Sequence, residues 1–276
     1  MMIIPSYDQD YLIKLTGTFN TRDLGGYLTE SGKMIKKRRL IRSDDLFKLT
    51  SKDISILSNV YHLNTIIDFR NSNERRKRPD KIIPGAKYYV LTPDDETAVI
   101  ASSSLNDDRK KIDRLLKLNR EGKLKIDKNG LKNGMINFVK EKRSQRLYRK
   151  MLDLCIARND AVVLEHCRGG KDRTGYGTAL ILLALGVDQE IVVQDYLMTA
   201  HYNKERNERR MNEYRQYTQD QAILDYLASA METREDVIRA GLNEMKRLAG
   251  TPVNYIEQVL GFDSEKIAYM RQMYLE

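Results

Sequence analysis

A chain of 276 residues and 32.1 kDa, 41% of it hydrophobic, is long enough to bury a sizeable core and is read as globular. Lys and Arg number 48 against 39 Asp and Glu, and the net charge of +9 favours an anionic partner: nucleic acid, an acidic membrane surface or a phosphorylated ligand. Two cysteines, Cys155 and Cys167, exclude a disulfide framework, the opening MMIIPSYDQDYL has no basic region followed by a long apolar one, and no run approaches the roughly 20 apolar residues of a membrane span, so a reduced, cytoplasmic protein is expected.

Up to about Pro93, short apolar runs alternate with turn residues. Lys52 to Ser58 is a predicted helix capped by Thr50 or Ser51, followed by a β-like run at TIIDF and another at KYYVL. From Asn106 to Lys150 there are 16 Lys or Arg against 6 Asp or Glu, a local excess of 16 − 6 = +10 that carries the chain's basicity. This stretch reads as helical with a polar break at KIDKNGLKNG. A strand at AVVLEH, a glycine-rich loop and the apolar helix TALILLALG, stopped by Gly186, come next. Asp188 caps a helix through QEIVVQDYLM. At least three more amphipathic helices follow, with Gly250, Thr251 and Pro252 marking one stop and start. Neither a repeat nor a linker interrupts the chain, so residues 1–276 read as one α/β domain with a basic insertion at about 106–150.

The loop in EHCRGGKDRTGYG carries the chemistry. Between the end of a strand and the start of a helix, several backbone N–H groups converge on one point where the helix dipole also favours negative charge. An anion belongs there, and a cysteine at its base, Cys167, is stabilised as the reactive thiolate. Arg173 stands six residues on, where the loop can curl its planar fork back onto phosphoryl oxygens. Gly169 and Gly170 allow the tight turn, and Thr174 is placed to hydrogen-bond the sulfur as a leaving group. A nucleotide loop G-x-x-x-x-G-K-[ST] fails twice, at Glu165 and at Asp172. Two cysteines and three histidines do not supply a structural zinc site, and no metal or other cofactor is expected. An inert buried cysteine leaves the surrounding glycines and charges unexplained.

The string HCRGGKDRTG resembles the signature loop of cysteine-dependent protein tyrosine phosphatases, and in particular the bacterial and fungal group with H-C-x-x-G-K-D-R-T-G. FNTRDLGGY, LIRSDDLFKLT, IIDFRNSNERRKRPD, QDYLMT and YIEQVLGF are similar to further stretches of that group, so the resemblance reaches both ends of the chain; only the basic segment lacks a matching pattern. The resemblance implies a central, mostly parallel sheet flanked by helices. It also implies a phosphocysteine mechanism with Cys167 as nucleophile and Arg173 as phosphate clamp, and His166 orienting the loop from behind. With no Trp in the chain there is no W-P-D loop, and Asp172 is the implied general acid, favoured over Asp68, Asp94 and Asp127. Arg168, Gly169, Gly170, Lys171, Thr174 and Gly175 are the implied substrate-binding residues.

Asp68 and Arg70, at the end of TIIDF, fit a catalytic role or a buried ion pair equally. Arg22, Asp23 and Arg42 fit structural ion pairing better, and Cys155, in MLDLCIA, fits the core. The expected substrates are phosphotyrosine proteins, with phosphoinositides or phosphoserine and phosphothreonine as side substrates of some relatives. Lys171 would receive the extra phosphates together with Lys110, Lys111 and Arg114 of the basic segment, which fit an ordinary solvated helix face equally. Phosphate and vanadate are expected site ligands. A phosphate-recognising module without catalysis is the alternative, although binding alone would not require the nucleophile. Nucleic acid is not expected, because the basic segment has only Phe138 and Tyr148 for stacking.

Overall fold

The computed structural model describes residues 11–93, 105–125, 127 and 129–276. Five short strands form one sheet: β1 (Arg22–Asp23), β2 (Leu40–Ser43), β3 (Thr65–Asp68), β4 (Lys87–Val90) and β5 (Val163–His166). Their order is β1-β2-β5-β3-β4, antiparallel only between β1 and β2. β5 is therefore the central strand, and its last residue, His166, lies level with Ser43 of β2 and Asp68 of β3.

Side chains alternate across a pleated strand, so both faces of a covered parallel sheet must be apolar. Leu40, Ile67 and Val163 enter the larger core, while Ile41, Ile66 and Leu164 enter a second cluster on the opposite face. By the same period Glu165 shares the face of Val163, and His166 that of Leu164.

The predicted first helix is α1 (Ser51–Ser55), extended by a π-helical turn at Ile56–Val60. Thr50 caps it by accepting from the Asp53 amide, while Asp53 accepts from the Thr50 amide. α2 (Ser72–Lys77) has the same reciprocal cap between Asn71 and Glu74.

The basic stretch divides in two. Its first part, α3 (Leu105–Arg120), packs Ile112 and Leu115 into a small separate cluster. The rest forms α4 (Gly130–Lys140) and α5 (Lys142–Cys155), which send Met135, Phe138, Val139, Tyr148, Met151, Leu152 and Cys155 into the larger core. α4 already begins at Gly130, inside the stretch expected to break the helix, because its apolar stripe packs against the core. Phe138 and Tyr148 are thereby buried, and Tyr148 meets Tyr176 edge to face at 4.5 Å.

α6 (Asp172–Leu185) is buried from Arg173 onward, as befits a helix apolar on every side, and Gly186 ends it in the left-handed conformation at φ 87°. α7 (Gln189–Tyr202) starts at the Asp188 cap, followed by α8 (Lys204–Arg215), α9 (Gln221–Ser229) and α10 (Glu235–Ala249). Thr251 then caps the short helix α11 (Pro252–Asn254), and α12 (Ser264–Tyr274) closes the chain. Among the described residues, no helix is long and apolar enough to cross a membrane.

Candidate active site

At the C-terminal edge of an α/β sheet, loops from neighbouring strands gather around one crevice. The loop after β5 lies between the ends of β2 and β3, and each end grips it. From the β2 side, the Arg168 guanidinium pairs with Asp45, which also holds Arg78 at 3.1 Å. Burial alone would raise the Asp45 carboxyl, but the charges of Arg168 and Arg78 hold it down at about 2. From the β3 side, the Phe69 carbonyl accepts from Arg173 Nη1 at 3.2 Å.

The loop carbonyls are held from outside. Gly169 O accepts from Asn203 Nδ2 at 2.8 Å, and Gly170 O from Asn20 Nδ2 at 3.0 Å and Arg42 Nη2 at 2.7 Å. In a trans peptide the N–H points opposite the C=O, so these bonds turn the amides of Gly170 and Lys171 to the other side of the loop. Among the described residues, the backbone N–H groups of Arg168, Gly169, Gly170 and Lys171 have no acceptor. That is the donor arrangement of an anion cradle. Gly170 has φ 61°, and a Cβ there would lie 2.6 Å from Ser43 O. Only glycine fits that turn.

Cys167, 3% exposed, shares a cavity with Arg173 and Asp172. Arg173 is held in place by Glu74, through Nη1–Oε2 at 2.7 Å and Nη2–Oε1 at 2.9 Å. Burial would raise the Glu74 carboxyl, yet Arg173 keeps it below the ordinary range. Asp172 opens α6 and accepts from Tyr196 Oη at 2.9 Å, while its other oxygen lies 3.5 Å from Lys171 Nζ. Lys171 Nζ also donates to the Ala230 and Glu232 carbonyls at 3.1 and 2.6 Å, tying the loop to the connection between α9 and α10. Among the described residues, Thr174 Oγ1 is buried without a hydrogen-bond partner, and Gly175 faces the Tyr196 ring, where a Cβ would come within 2.7 Å.

Behind the loop, His166 Nε2 lies 3.2 Å from Asp80 and 3.9 Å from Asp68. Burial alone would push this imidazole down, but the two carboxylates raise it to about 9, so it is a cation at neutral pH. Arg70 donates to Asp68 at 2.8 and 2.9 Å and to Asp80 at 2.6 Å. Asp68, Asp80 and His166 bring one ligand-type atom each within 4.8 Å of one another, but Arg70 already supplies positive charge to the two carboxylates. Asp68 and Arg70 thus form a buried ion pair.

Arg22 and Arg42 likewise meet at Asp195, which Tyr27 also contacts at 3.0 Å. Asp23 accepts from the Gly25 and Arg38 amides. Asp127 is exposed and accepts from the Asn129 amide, away from the cavity; Asp94 lies outside the described residues. Cys155 is fully buried, and burial pushes its thiol well up.

Several residues of the site escape a reading from sequence. Glu74 stands inside the quoted box IIDFRNSNERRKRPD, and its capping-box spacing from Asn71 was the available signal. Asn20, Asp80, Tyr196 and Asn203 act through contacts across the chain that spacing does not announce. α8 adds Arg206, Asn207 and Arg210 to the cavity wall, and α3 joins indirectly: Lys111 Nζ lies 5.5 Å from the Tyr214 ring centre and Arg210 Cζ 4.3 Å from the same ring. Lys110 and Arg114 are exposed and do not line the cavity.

A protein of Cupriavidus necator, whose name ascribes to it tyrosine-protein phosphatase activity, is 25% identical over 257 residues, 93% of this chain and 85% of its own length. The triple specificity protein phosphatase PtpB of Mycobacterium tuberculosis is 26% identical over 195 residues, 67% of each chain. A tyrosine-protein phosphatase of Nostoc commune is 26% identical over 162 residues, 59% of this chain and 48% of that protein. A model of the tyrosine phosphatase family matches residues 13–276, from the strand-bound N-terminal stretch through the Cys167 loop to the last helix, and the chain belongs to that family.

Proposed function

We propose that the protein hydrolyses phosphotyrosine through a phosphocysteine intermediate, with no metal. The observation that carries this is the meeting of Cys167, Arg173 and Asp172 in one cavity at the open end of the loop. Cys167 Sγ, as thiolate, attacks phosphorus and forms the S–P bond while the P–O ester bond breaks, and Asp172 gives its proton to the departing phenolate oxygen. Arg173 and the loop amides stabilise charge on the equatorial oxygens. Asp172, now a carboxylate, takes a proton from the water that attacks phosphorus. The S–P bond breaks, releasing inorganic phosphate and restoring the thiolate, with Thr174 Oγ1 as a donor to the leaving sulfur. Arg168, Gly169, Gly170 and Lys171 supply the cradle, Gly175 lets α6 approach Tyr196, and His166, Asp68 and Arg70 brace the strand end.

A phosphate-binding module without turnover would need the cradle but neither Cys167 nor Asp172, so the pairing of those two favours the enzyme. Phosphoinositides and phosphoserine or phosphothreonine are secondary substrates in this reading, and Lys171, committed to two carbonyls, lends them little. The test uses p-nitrophenyl phosphate and a phosphotyrosine peptide. Cys167→Ser is expected to abolish turnover of both while still binding the peptide; activity within a few-fold of wild type would overturn the mechanism.

A further inference from the structure

Five cationic side chains line the cavity, and four have an acidic partner. Arg168 pairs with Asp45, Lys171 lies 3.5 Å from Asp172, Arg173 is held by Glu74, and Arg210 Nη1 lies 2.6 Å from Glu213. Arg206 differs. Among the described residues it has no carboxylate within ion-pair distance, and its Nη1 donates to the neutral Asn207 Oδ1 at 3.0 Å. Its guanidinium rests against the loop, so that a Cβ on Gly169 would lie 3.3 Å from Arg206 Cζ. Asp44 acts on it only through space, and burial together with Asp45 raises the Asp44 carboxyl to about 6.

We propose that Arg206 receives a second anionic group of the substrate, the carboxylate of an acidic residue flanking the phosphotyrosine. This rests on the phosphotyrosine reading above. A phosphoryl group at Cys167 is matched by Arg173 and the loop amides, which leaves, among the described residues, one planar guanidinium of the cavity with no carboxylate at ion-pair distance. One carboxylate can engage it by two parallel hydrogen bonds. The neighbouring wall is amide and apolar, from Asn203, Asn207 and Met231, and suits a peptide. A polyphosphorylated ring would instead bring several charges to cations that already have partners.

The test compares two phosphotyrosine peptides that differ only in having Glu or Gln on both sides of the phosphotyrosine. Wild type is expected to favour the Glu peptide roughly 5- to 20-fold in kcat/KM, as a charge-assisted bond would give, and to lose most of that preference in high salt. Arg206→Gln is expected to bring the ratio to about 1. Lys33→Gln, which removes the same charge from an exposed site beyond the far end of α6, is expected to keep it. Binding of both peptides to Cys167→Ser, read by fluorescence anisotropy, reports the same preference without turnover. Failure of wild type to hydrolyse either peptide would therefore count against the phosphatase reading, and equal affinities against the role of Arg206. A preference that survives in Arg206→Gln would overturn the proposal. So would a larger loss on a short-chain phosphoinositide than on the Glu peptide, which would make the second anion a lipid phosphate.

Discussion

Glu74 and Arg173 face each other as two planar groups joined by paired hydrogen bonds of 2.7 and 2.9 Å, and this contact fixes the guanidinium beneath the loop before any substrate arrives. Preorganised charge of this kind stabilises a transition state without reorganisation during reaction. Glu74→Gln keeps the shape and loses the charge, and Glu74→Ala frees the arginine. We expect kcat to fall about tenfold in the first and about a hundredfold in the second, since small misplacements of a clamp have effects of that size. Arg173→Lys should be as severe as Glu74→Ala, because a point charge cannot span the same oxygens. Steady-state kinetics on p-nitrophenyl phosphate decide this; an unchanged kcat in Glu74→Ala would show that the loop alone positions Arg173.

Asp172 is held by Tyr196 Oη at 2.9 Å, which aims one carboxyl oxygen and leaves the other beside Lys171. If Asp172 protonates the leaving oxygen, Asp172→Asn should slow an alkyl phosphate by roughly 10²- to 10⁴-fold and p-nitrophenyl phosphate much less. Tyr196→Phe should reproduce a weaker form of the same pattern, because it removes the aim and keeps the acid. Equal losses on both substrates would mean that Asp172 only shapes the loop.

Most of this site was legible because it is contiguous. Seven residues from Cys167 to Arg173, bracketed by an apolar strand and an apolar helix, state both the cradle and its place at a sheet edge. What was hidden is the scaffolding. β1 and β2 contain Arg22 and Arg42, which are fully buried yet charged, so neither strand shows the apolar alternation by which strands are read. Their charges are balanced by Asp195, more than 150 residues away along the chain. Arg206 sits in KERNERRMNEYR, a text indistinguishable from a solvated helix face until α8 is laid across the loop. The basic segment reads in sequence as an insertion at about 106–150, set apart by its charge; the apolar stripe by which α4 and α5 join the larger core is hidden among those charges.

Gly170 tests the cradle without touching a reacting group. Its φ of 61° and the 2.6 Å approach of Ser43 O to a Cβ mean that alanine must displace the turn. Gly170→Ala should therefore lose vanadate and phosphate affinity together with activity, by at least about tenfold, while the far-ultraviolet spectrum stays native. Vanadate should inhibit wild type competitively, and a chelator should leave turnover unchanged. Loss on chelation that a divalent metal restores would point to a chemistry other than the cysteine route.

His166 makes stability depend on pH in a direction the structure fixes. Its folded value of about 9 lies above the ordinary 6.5 because Asp80 and Asp68 outweigh the effect of burial. A group raised on folding contributes stability that is complete below its unfolded value and is lost as pH rises through its folded one. The contribution, on the order of 3 kcal/mol from a shift of this size, should be present at pH 6 and mostly gone by pH 10. Glu165, raised by burial to about 8, changes stability in the same sense between its ordinary value and pH 8, so wild type alone cannot separate the two. Urea unfolding of wild type, Asp80→Asn and Glu165→Gln at pH 6, 8 and 10 does. We expect Asp80→Asn to be less stable than wild type at pH 6 and to decline less steeply than wild type between pH 8 and 10, where burial of Cys155 and of tyrosines such as Tyr27 and Tyr176 lowers stability in both proteins alike, and Glu165→Gln to decline as steeply as wild type. Parallel curves for wild type and Asp80→Asn over that interval would mean that the imidazole is not held charged by Asp80, and that the brace behind the loop is only steric.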